Sequence, residues 1–327
     1  MYNFKEFYKG KRVLVTGADG FIGSHLTERL LEYGDDVIAF VRSSALTSTP
    51  NIKLKNIGHL KGKITIVSGD IGNPDTIDLI KRKDPKIIFH LAAEAYVNKS
   101  FDQPLEIVRA NVGGTLNVLH ACFDENKKPL KNIEQIVITS SSEIYGSYNE
   151  PIKETFAMNP SSPYGASKAA ADRLAYSYFN TYGLPIAIIR PFNTYGPRHT
   201  YDAPPKFISL ALEGKDVTIY GTGEQSRDLM YVDDTIDSFL LMGSRKEAIG
   251  EVINFGTGKD VKIIDLAKMI IEISKSKSKI KYLPPRLSEV KRLCCDYSKA
   301  KNLFGWESKI SIETGLKGNI EWALGNR

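Results

Sequence analysis

The run "RVLVTGADGFIGSHLTERLLEYG", Arg12 to Gly34, constrains the fold more than any other stretch of the chain. Apolar Val13, Leu14 and Val15 lead into Gly17, Gly20 and Gly23, and a pattern of helical period follows at once. Glycine at the turn permits unusual dihedrals, the next lets a pyrophosphate approach the backbone, and the last lets helix pack on strand. The helix amino terminus then faces the anion. Such spacing also fits an ordinary strand-to-helix turn. Here it sits in the strand–turn–helix context near the amino terminus that dinucleotide binding requires.

The same alternation continues. "DVIAFVR", "ITIVSGD", "KIIFHLAA", "QIVITSSS" and "PIAIIRP" are short apolar runs. Between them lie helix-patterned "PDTIDLIKRKD", the long amphipathic "PLEIVRANVGGTLNVLHACFDE" and "SPYGASKAAADRLAYSYFNTYG". Two-sided apolar strands separated by helices predict an α/β, Rossmann-like, doubly wound parallel sheet. Ligands of such sheets bind beyond the carboxyl ends of the strands. After Pro191 the texture changes to Gly, Pro and polar stretches such as "FNTYGPRHTYDAPPKF" and "YGTGEQSRDLMY", and the later elements alternate less regularly. The expected division is a dinucleotide-binding domain over 1–190 plus part of 229–256, and a smaller substrate-binding lobe from the remaining segments of 191–327. That lobe is expected to close over the ligand edge of the sheet.

Composition excludes several classes. The formal charge of +6 is spread over scattered lysines rather than one dense block, so neither a nucleic-acid nor a membrane partner is expected. Cys122, Cys294 and Cys295 form no CxxC pair and the histidines show no ligand spacing, so no metal site or disulfide framework is expected. No apolar run approaches the roughly 20 residues that span a bilayer. A soluble protein of the reducing cytoplasm is the expectation.

Two constellations carry chemistry. At the end of the second strand, where an acid would serve the adenine ribose of NAD, Val41 stands and Arg42 follows. A guanidinium can pair with a ribose phosphate through two hydrogen bonds, so NADP is favoured and NAD remains possible. In the other reading Arg42 stacks on adenine or faces solvent. Asp70, after the third strand, is placed to meet the adenine amine or to cap the following helix. Further on, Tyr164 and Lys168 stand four apart at a helix start, hence on one face. A phenol is a poor base at neutral pH until a nearby cation stabilises its phenolate, and Lys168 supplies that charge.

With these residues in view, the chain resembles the extended short-chain dehydrogenase/reductase family, in its nucleotide-sugar-modifying branch. "TGADGFIG", "HLAAEAYV", "NVGGTLNVL", "TSSSEIYG", "YGASK", "RPFNTYGPR", "RDLMYVDD" and "KAKNLFGWESK" all look like family segments in family order. The resemblance implies a dinucleotide site that also takes in Phe21, Ile22, Ile71, Leu91, Ala92 and Ala93, with Tyr164 and Lys168 at the nicotinamide ribose. It implies substrate contacts from Glu94 and Ser142, with Ser141 bonding the sugar 4-hydroxyl. Arg227 and Arg286 are implied as diphosphate clamps, with Asn193 and Arg198 as further substrate ligands.

Glu143 decides among reactions. Family 4-epimerases usually have a small residue there, whereas dehydratases and decarboxylases usually have Glu. Once carbon 4 is a ketone the carbon 5 proton is acidified, and a carboxylate over it can start elimination of the carbon 6 hydroxyl. The pair Ser142-Glu143 differs from the Asp-Glu of thymidine-diphosphate-glucose dehydratases and looks more like GDP-mannose 4,6-dehydratases, as do "SFDQP", "VRSS" and "LPPRLSEVKRLCCD". "GTGEQSRDLMYVDD" and "GPRHTYDAPPKF" look like the other branch, so the nucleoside stays open. The expectation is a nucleotide-hexose 4,6-dehydratase acting on a nucleotide-diphosphate sugar. The alternatives are a 4-epimerase, then a UDP-glucuronate decarboxylase, against which Asp228 counts, and last a non-enzymatic dinucleotide sensor. Excess apolar surface on the helices at "EIVRANVGGTLNVLHACF" and "SKAAADRLAYSYF" predicts a homodimer through a four-helix contact.

Overall fold

The computed structural model describes residues 3–42 and 54–326. Ser43 and Ser44 of "VRSS" lie outside the described residues. The strands are β1 (Arg12–Thr16), β2 (Asp36–Arg42), β3 (Thr65–Gly69), β4 (Ile87–His90), β5 (Gln135–Thr139) and β6 (Ile186–Pro191). They continue as β7 (Asn193–Tyr195), β8 (Val217–Tyr220), β9 (Ser226–Tyr231), β10 (Val252–Phe255), β11 (Asp260–Lys262), β12 (Ile280–Leu283) and β13 (Arg292–Leu293).

A seven-stranded sheet runs in the order β10-β6-β5-β4-β1-β2-β3, parallel from β6 through β3. Its order reverses between β1 and β4, so the β1 and β4 ends flank the crevice where ligands of doubly wound sheets bind. Val13, Leu14, Val15, Ile87, Ile88 and Phe89 are all buried, the two-sided burial that their unbroken apolar runs require. The chain is an α/β protein of Rossmann type.

The residues cluster into two compact units. The first comprises Met1–Ser141, Ser162–Arg190 and Ile236–Val252, and the second Ser142–Ser161, Pro191–Thr235 and Ile253–Arg327. Residues 142–161, placed with the dinucleotide-binding domain by the sequence division, group with the second unit. The first unit has its core between sheet and helices, with Leu14, Ile38, Phe40, Ile88, Val118, Leu119, Ile136 and Ile188 in contact. In the second unit, β7, β11 and β13 all pair with β9, and β12 pairs with β8. Its core joins Phe207, Ile208, Val217, Ile219, Leu266, Ile270, Leu316 and Ile320.

One helix departs from its pattern. "PLEIVRANVGGTLNVLH" forms helix over Pro104–Val108 and again over Gly114–His120, with a π turn at Arg109–Gly113 between them. The wider turn accommodates Asn111, which is 2% exposed. Its side chain accepts from the Glu94 amide at 2.8 Å and donates to the Ser167 hydroxyl at 2.9 Å. These side-chain bonds reach two other segments from a single-turn π bulge, where the backbone ladder runs i to i+5. No helix among the described residues is long and apolar enough to cross a membrane.

Candidate active site

In the first unit, β1 ends at Thr16 and the chain turns at Gly17, whose φ of 72° is left-handed. The amides of Gly17 and Ala18 donate to the Phe40 carbonyl at 3.0 and 3.3 Å, tying the turn to β2. A Cβ on Gly17 would lie 2.9 Å from the Ala92 nitrogen, and one on Gly23 only 2.2 Å from the Gly17 oxygen. Side chains are thus excluded from the turn. Gly20 is the N-cap of the Phe21–Glu32 helix and offers no capping side chain, so the first-turn amides, which include those of Phe21, Ile22 and Gly23, face outward. Across the order reversal, the Leu91 and Ala92 amides each donate to the Thr16 hydroxyl at 3.1 Å, bringing the 91–93 segment beside the turn. An open glycine turn, a helix amino terminus and adjacent backbone fit a pyrophosphate-bearing dinucleotide.

Arg42 does not stand alone beyond β2. Its guanidinium donates to Glu94, in a short contact, and to Glu106 at 3.1 Å. Lys99 bonds the other Glu94 oxygen at 2.9 Å. Arg109 in turn donates to Asp70 at 2.7 Å and to Glu106 at 2.9 and 3.0 Å. The Arg109 hydrogen bonds hold both the Asp70 and the Glu106 carboxyl below their usual range. Asp70 also accepts from the Gly72 amide at 2.9 Å, a turn contact ahead of the Thr76–Lys81 helix, so it serves Arg109 and the turn. Ile71 beside it is buried against Gly114. Glu94, expected at the substrate, has its carboxylate between Arg42 and Lys99.

Tyr164 and Lys168 lie in the first turns of the Pro163–Tyr182 helix. Ser162 caps that helix by accepting from the Gly165 amide at 3.0 Å, Pro163 fits the first turn, and Gly183 ends it at φ 69°. Both side chains are buried, and Lys168 donates to the Thr139 carbonyl at the end of β5. Burial lowers the Lys168 ammonium to about 8, against the charge of Asp172 one turn on. Asp172 is itself fully buried and holds Arg190 through bonds of 2.8 and 3.0 Å. His90, between the Thr16 and Thr115 hydroxyls at 2.8 and 3.1 Å, is driven down to about 3 by burial and by the Lys168 charge, and so stays neutral. Ser141, at the β5 end of this unit, is buried as well.

In the second unit, Ser142 and Glu143 open a short 3-10 turn, Ser142–Ile144. Burial raises the Glu143 carboxyl, the Arg227 guanidinium opposes it, and the charges of Asp202 and Glu289 add to the rise. Arg227, on β9, donates to the Ser226 and Val290 carbonyls at 2.9 and 2.7 Å and to Glu289 at 3.1 Å. The next residue, Asp228, points the other way. It accepts from Thr257, Gly258 and Cys295 and pins three segments of the unit together. Asn193 begins β7, where its side-chain oxygen is buried without a donor among the described residues. Arg198 holds a left-handed backbone at φ 72°.

Arg286 lies over the Tyr220 ring at 4.3 Å, and Lys206 lies over the same ring at 5.0 Å. Tyr220 and Lys206 were not singled out from the sequence. The three come from β8, the Ala203–Leu212 helix and the segment after β12, and no local spacing joins them.

Comparison with known proteins gives the family. The family model for GDP-mannose 4,6 dehydratase matches residues 14–318. A trifunctional UDP-glucose 4,6-dehydratase/UDP-4-keto-6-deoxy-D-glucose 3,5-epimerase/UDP-4-keto-L-rhamnose-reductase of Arabidopsis thaliana is 32% identical over 98% of this chain. The chain spans about half of that relative, 48% of its length. A UDP-glucuronate 4-epimerase of Thermodesulfobacterium geofontis is 33% identical over 96% of both chains. Among solved structures, a dTDP-glucose 4,6-dehydratase of Streptomyces venezuelae with NAD bound superposes with a TM-score of 0.86 at 29% identity, covering 97% of this chain and 98% of that one. A glycine cradle, a Tyr-Lys helix and a match along nearly the whole length place the chain in the GDP-mannose 4,6 dehydratase family, within the NAD-dependent nucleotide-sugar epimerases and dehydratases.

Proposed function

We propose that this protein is an NAD-dependent nucleotide-hexose 4,6-dehydratase. The observation that carries the reading is Glu143, a carboxylate two residues past the serine at the end of β5, raised by burial and steadied by Arg227. An epimerase has no need of a second base there, whereas elimination does. NAD supplies, when bound, the hydride acceptor for carbon 4 and the donor for carbon 6. Tyr164 takes the 4-hydroxyl proton, with Lys168 stabilising its phenolate and Ser141 orienting the hydroxyl. Glu143 then removes the carbon 5 proton and passes a proton to the departing carbon 6 hydroxyl, which leaves as water. Once hydride has returned to carbon 6, carbon 5 takes a proton from the Glu143 carboxyl, which solvent has reprotonated, and Tyr164 releases its proton to solvent, so neither base nor dinucleotide is consumed.

The Arg286–Tyr220–Lys206 stack and Arg227 support a nucleoside diphosphate as the handle of the substrate. An aromatic face suits a base, and cations beside it suit phosphates. NAD rather than NADP is favoured by the dehydratase structure solved with NAD and by the two carboxylates on Arg42.

The deciding experiment incubates the protein with UDP-, GDP-, CDP- and thymidine-diphosphate hexoses and follows product mass. Loss of one water is expected. An isomer of unchanged mass would replace this reading with 4-epimerase, and loss of carbon dioxide from a glucuronate would replace it with decarboxylase. A homodimer belongs to the same proposal, since Leu105 and Val108 are 85% and 48% exposed on one helix and Tyr176 is 42% exposed on the Pro163–Tyr182 helix. Light scattering at micromolar concentration should give twice the chain mass, and a monomer mass would remove the dimer.

A further inference from the structure

We infer that Glu94 and Glu106 determine dinucleotide choice in this chain, by occupying the Arg42 guanidinium that would otherwise read a ribose 2′-phosphate. The inference rests on the glycine turn being the dinucleotide cradle, and it concerns the adenosine end of that site.

Arg42 is placed where such a group would be read. It is the last residue of β2, two beyond Phe40, whose carbonyl holds the Gly17 and Ala18 amides. It pairs across the sheet with Gly69, next to Asp70. On position alone, Arg42 is a phosphate reader.

Its partners reverse that. Three cations, Arg42, Lys99 and Arg109, are matched in one network by three acids, Glu94, Glu106 and Asp70. The Arg42 side chain is 60% exposed, but Glu94 and Glu106 are only 12% and 28% exposed, so the carboxylates are the fixed side of the pairs. The network is electrically balanced before any ligand arrives. A phosphate dianion at Arg42 would have to displace a carboxylate or sit against two of them. A ribose diol faces no such conflict, because its hydroxyls donate hydrogen bonds and carboxylates accept them. With Arg109 holding Asp70 and Glu106 below the usual carboxylate range, these two acids keep their charge throughout the neutral range.

The test is equilibrium binding of NADH and NADPH, read by nicotinamide fluorescence. Wild type should bind NADH at least about tenfold tighter, the ratio that one lost charge-assisted hydrogen bond produces. Glu106→Gln, and more so Glu94→Gln with Glu106→Gln, should tighten NADPH about tenfold while NADH stays within about twofold. Adding Arg42→Ala to the double variant should cancel the gain, whereas Arg42→Ala alone should leave both affinities nearly unchanged. NADH affinity reports folding in each variant, and the single Glu106→Gln gives the same readout should the double variant not fold. An unchanged NADPH to NADH ratio, or tight NADPH binding by wild type, would overturn the inference while leaving the dinucleotide site standing. Binding of neither dinucleotide by wild type would overturn both.

Discussion

At Glu143, burial and the nearby acids work against ionisation and Arg227 works for it. A base must be ionised to act, so a raised carboxyl moves the acid limb of the turnover profile upward from that of an ordinary glutamate. Glu143→Gln keeps the shape and abolishes the base. Elimination should slow by at least about 100-fold, oxidation at carbon 4 should survive, and reduced dinucleotide should accumulate as nicotinamide absorbance on adding substrate. Wild-type dehydration by the variant would reduce Glu143 to a binding residue. Glu143, Tyr164 and Lys168 could be picked out as candidates in the sequence because each sits at a fixed short distance from a strand end or along one helix face. Arg42 was legible as a residue, but its ion pairs with Glu94 and Glu106 were not. Its partners lie 52 and 64 positions away, and only the folded chain brings them to it.

The strand-to-helix turn was the most readable element, since three glycines were required where a side chain would collide with backbone. Gly23→Ala tests the tightest of them. The new Cβ would stand 2.2 Å from the Gly17 oxygen, so either helix or turn must move. Overpacking of this kind costs about 1–3 kcal/mol. The expected result is a lower urea midpoint together with at least tenfold weaker NADH binding. Wild-type affinity in the variant would mean that the turn does not shape the cradle. The helix from Pro104 was less readable. Its apolar period runs unbroken through Arg109–Gly113, and the π turn there coincides with bonds of the buried Asn111 to Glu94 and Ser167, partners that periodicity does not register. The β7, β9, β11 and β13 sheet was harder still, because strands of two to six residues leave little alternation to read.

Stability of the whole molecule carries a pH term from Asp35, just before β2. It is 7% exposed, and burial lifts its carboxyl to about 7 against the amide and charge of Lys11. A folded value above the unfolded one means the protonated form is favoured in the native state. The contribution is therefore complete below pH about 4 and is lost as pH rises through about 7. Asp35→Asn should flatten this slope and exceed wild type at pH 8 by on the order of 2 kcal/mol, with urea unfolding at pH 5 and 8 as the measurement. Parallel pH profiles for the two proteins would show that Asp35 is not strained. At this scale the sequence foretold the parallel sheet. It set residues 142–161 with the dinucleotide-binding domain, whereas they cluster with the second unit through pairing such as Ile152 with Cys295, more than a hundred positions on.

Each unit is built of three stretches of chain that alternate along the sequence. A single crossover between two related genes therefore cannot exchange one whole unit for another. A recombinant that joins the first part of one relative to the last part of a second within residues 142–252 inherits mixed versions of both units. New substrate preferences in such a chain are expected to arise by point replacement at positions such as Tyr220, Arg227 and Arg286, not by transplanting a module.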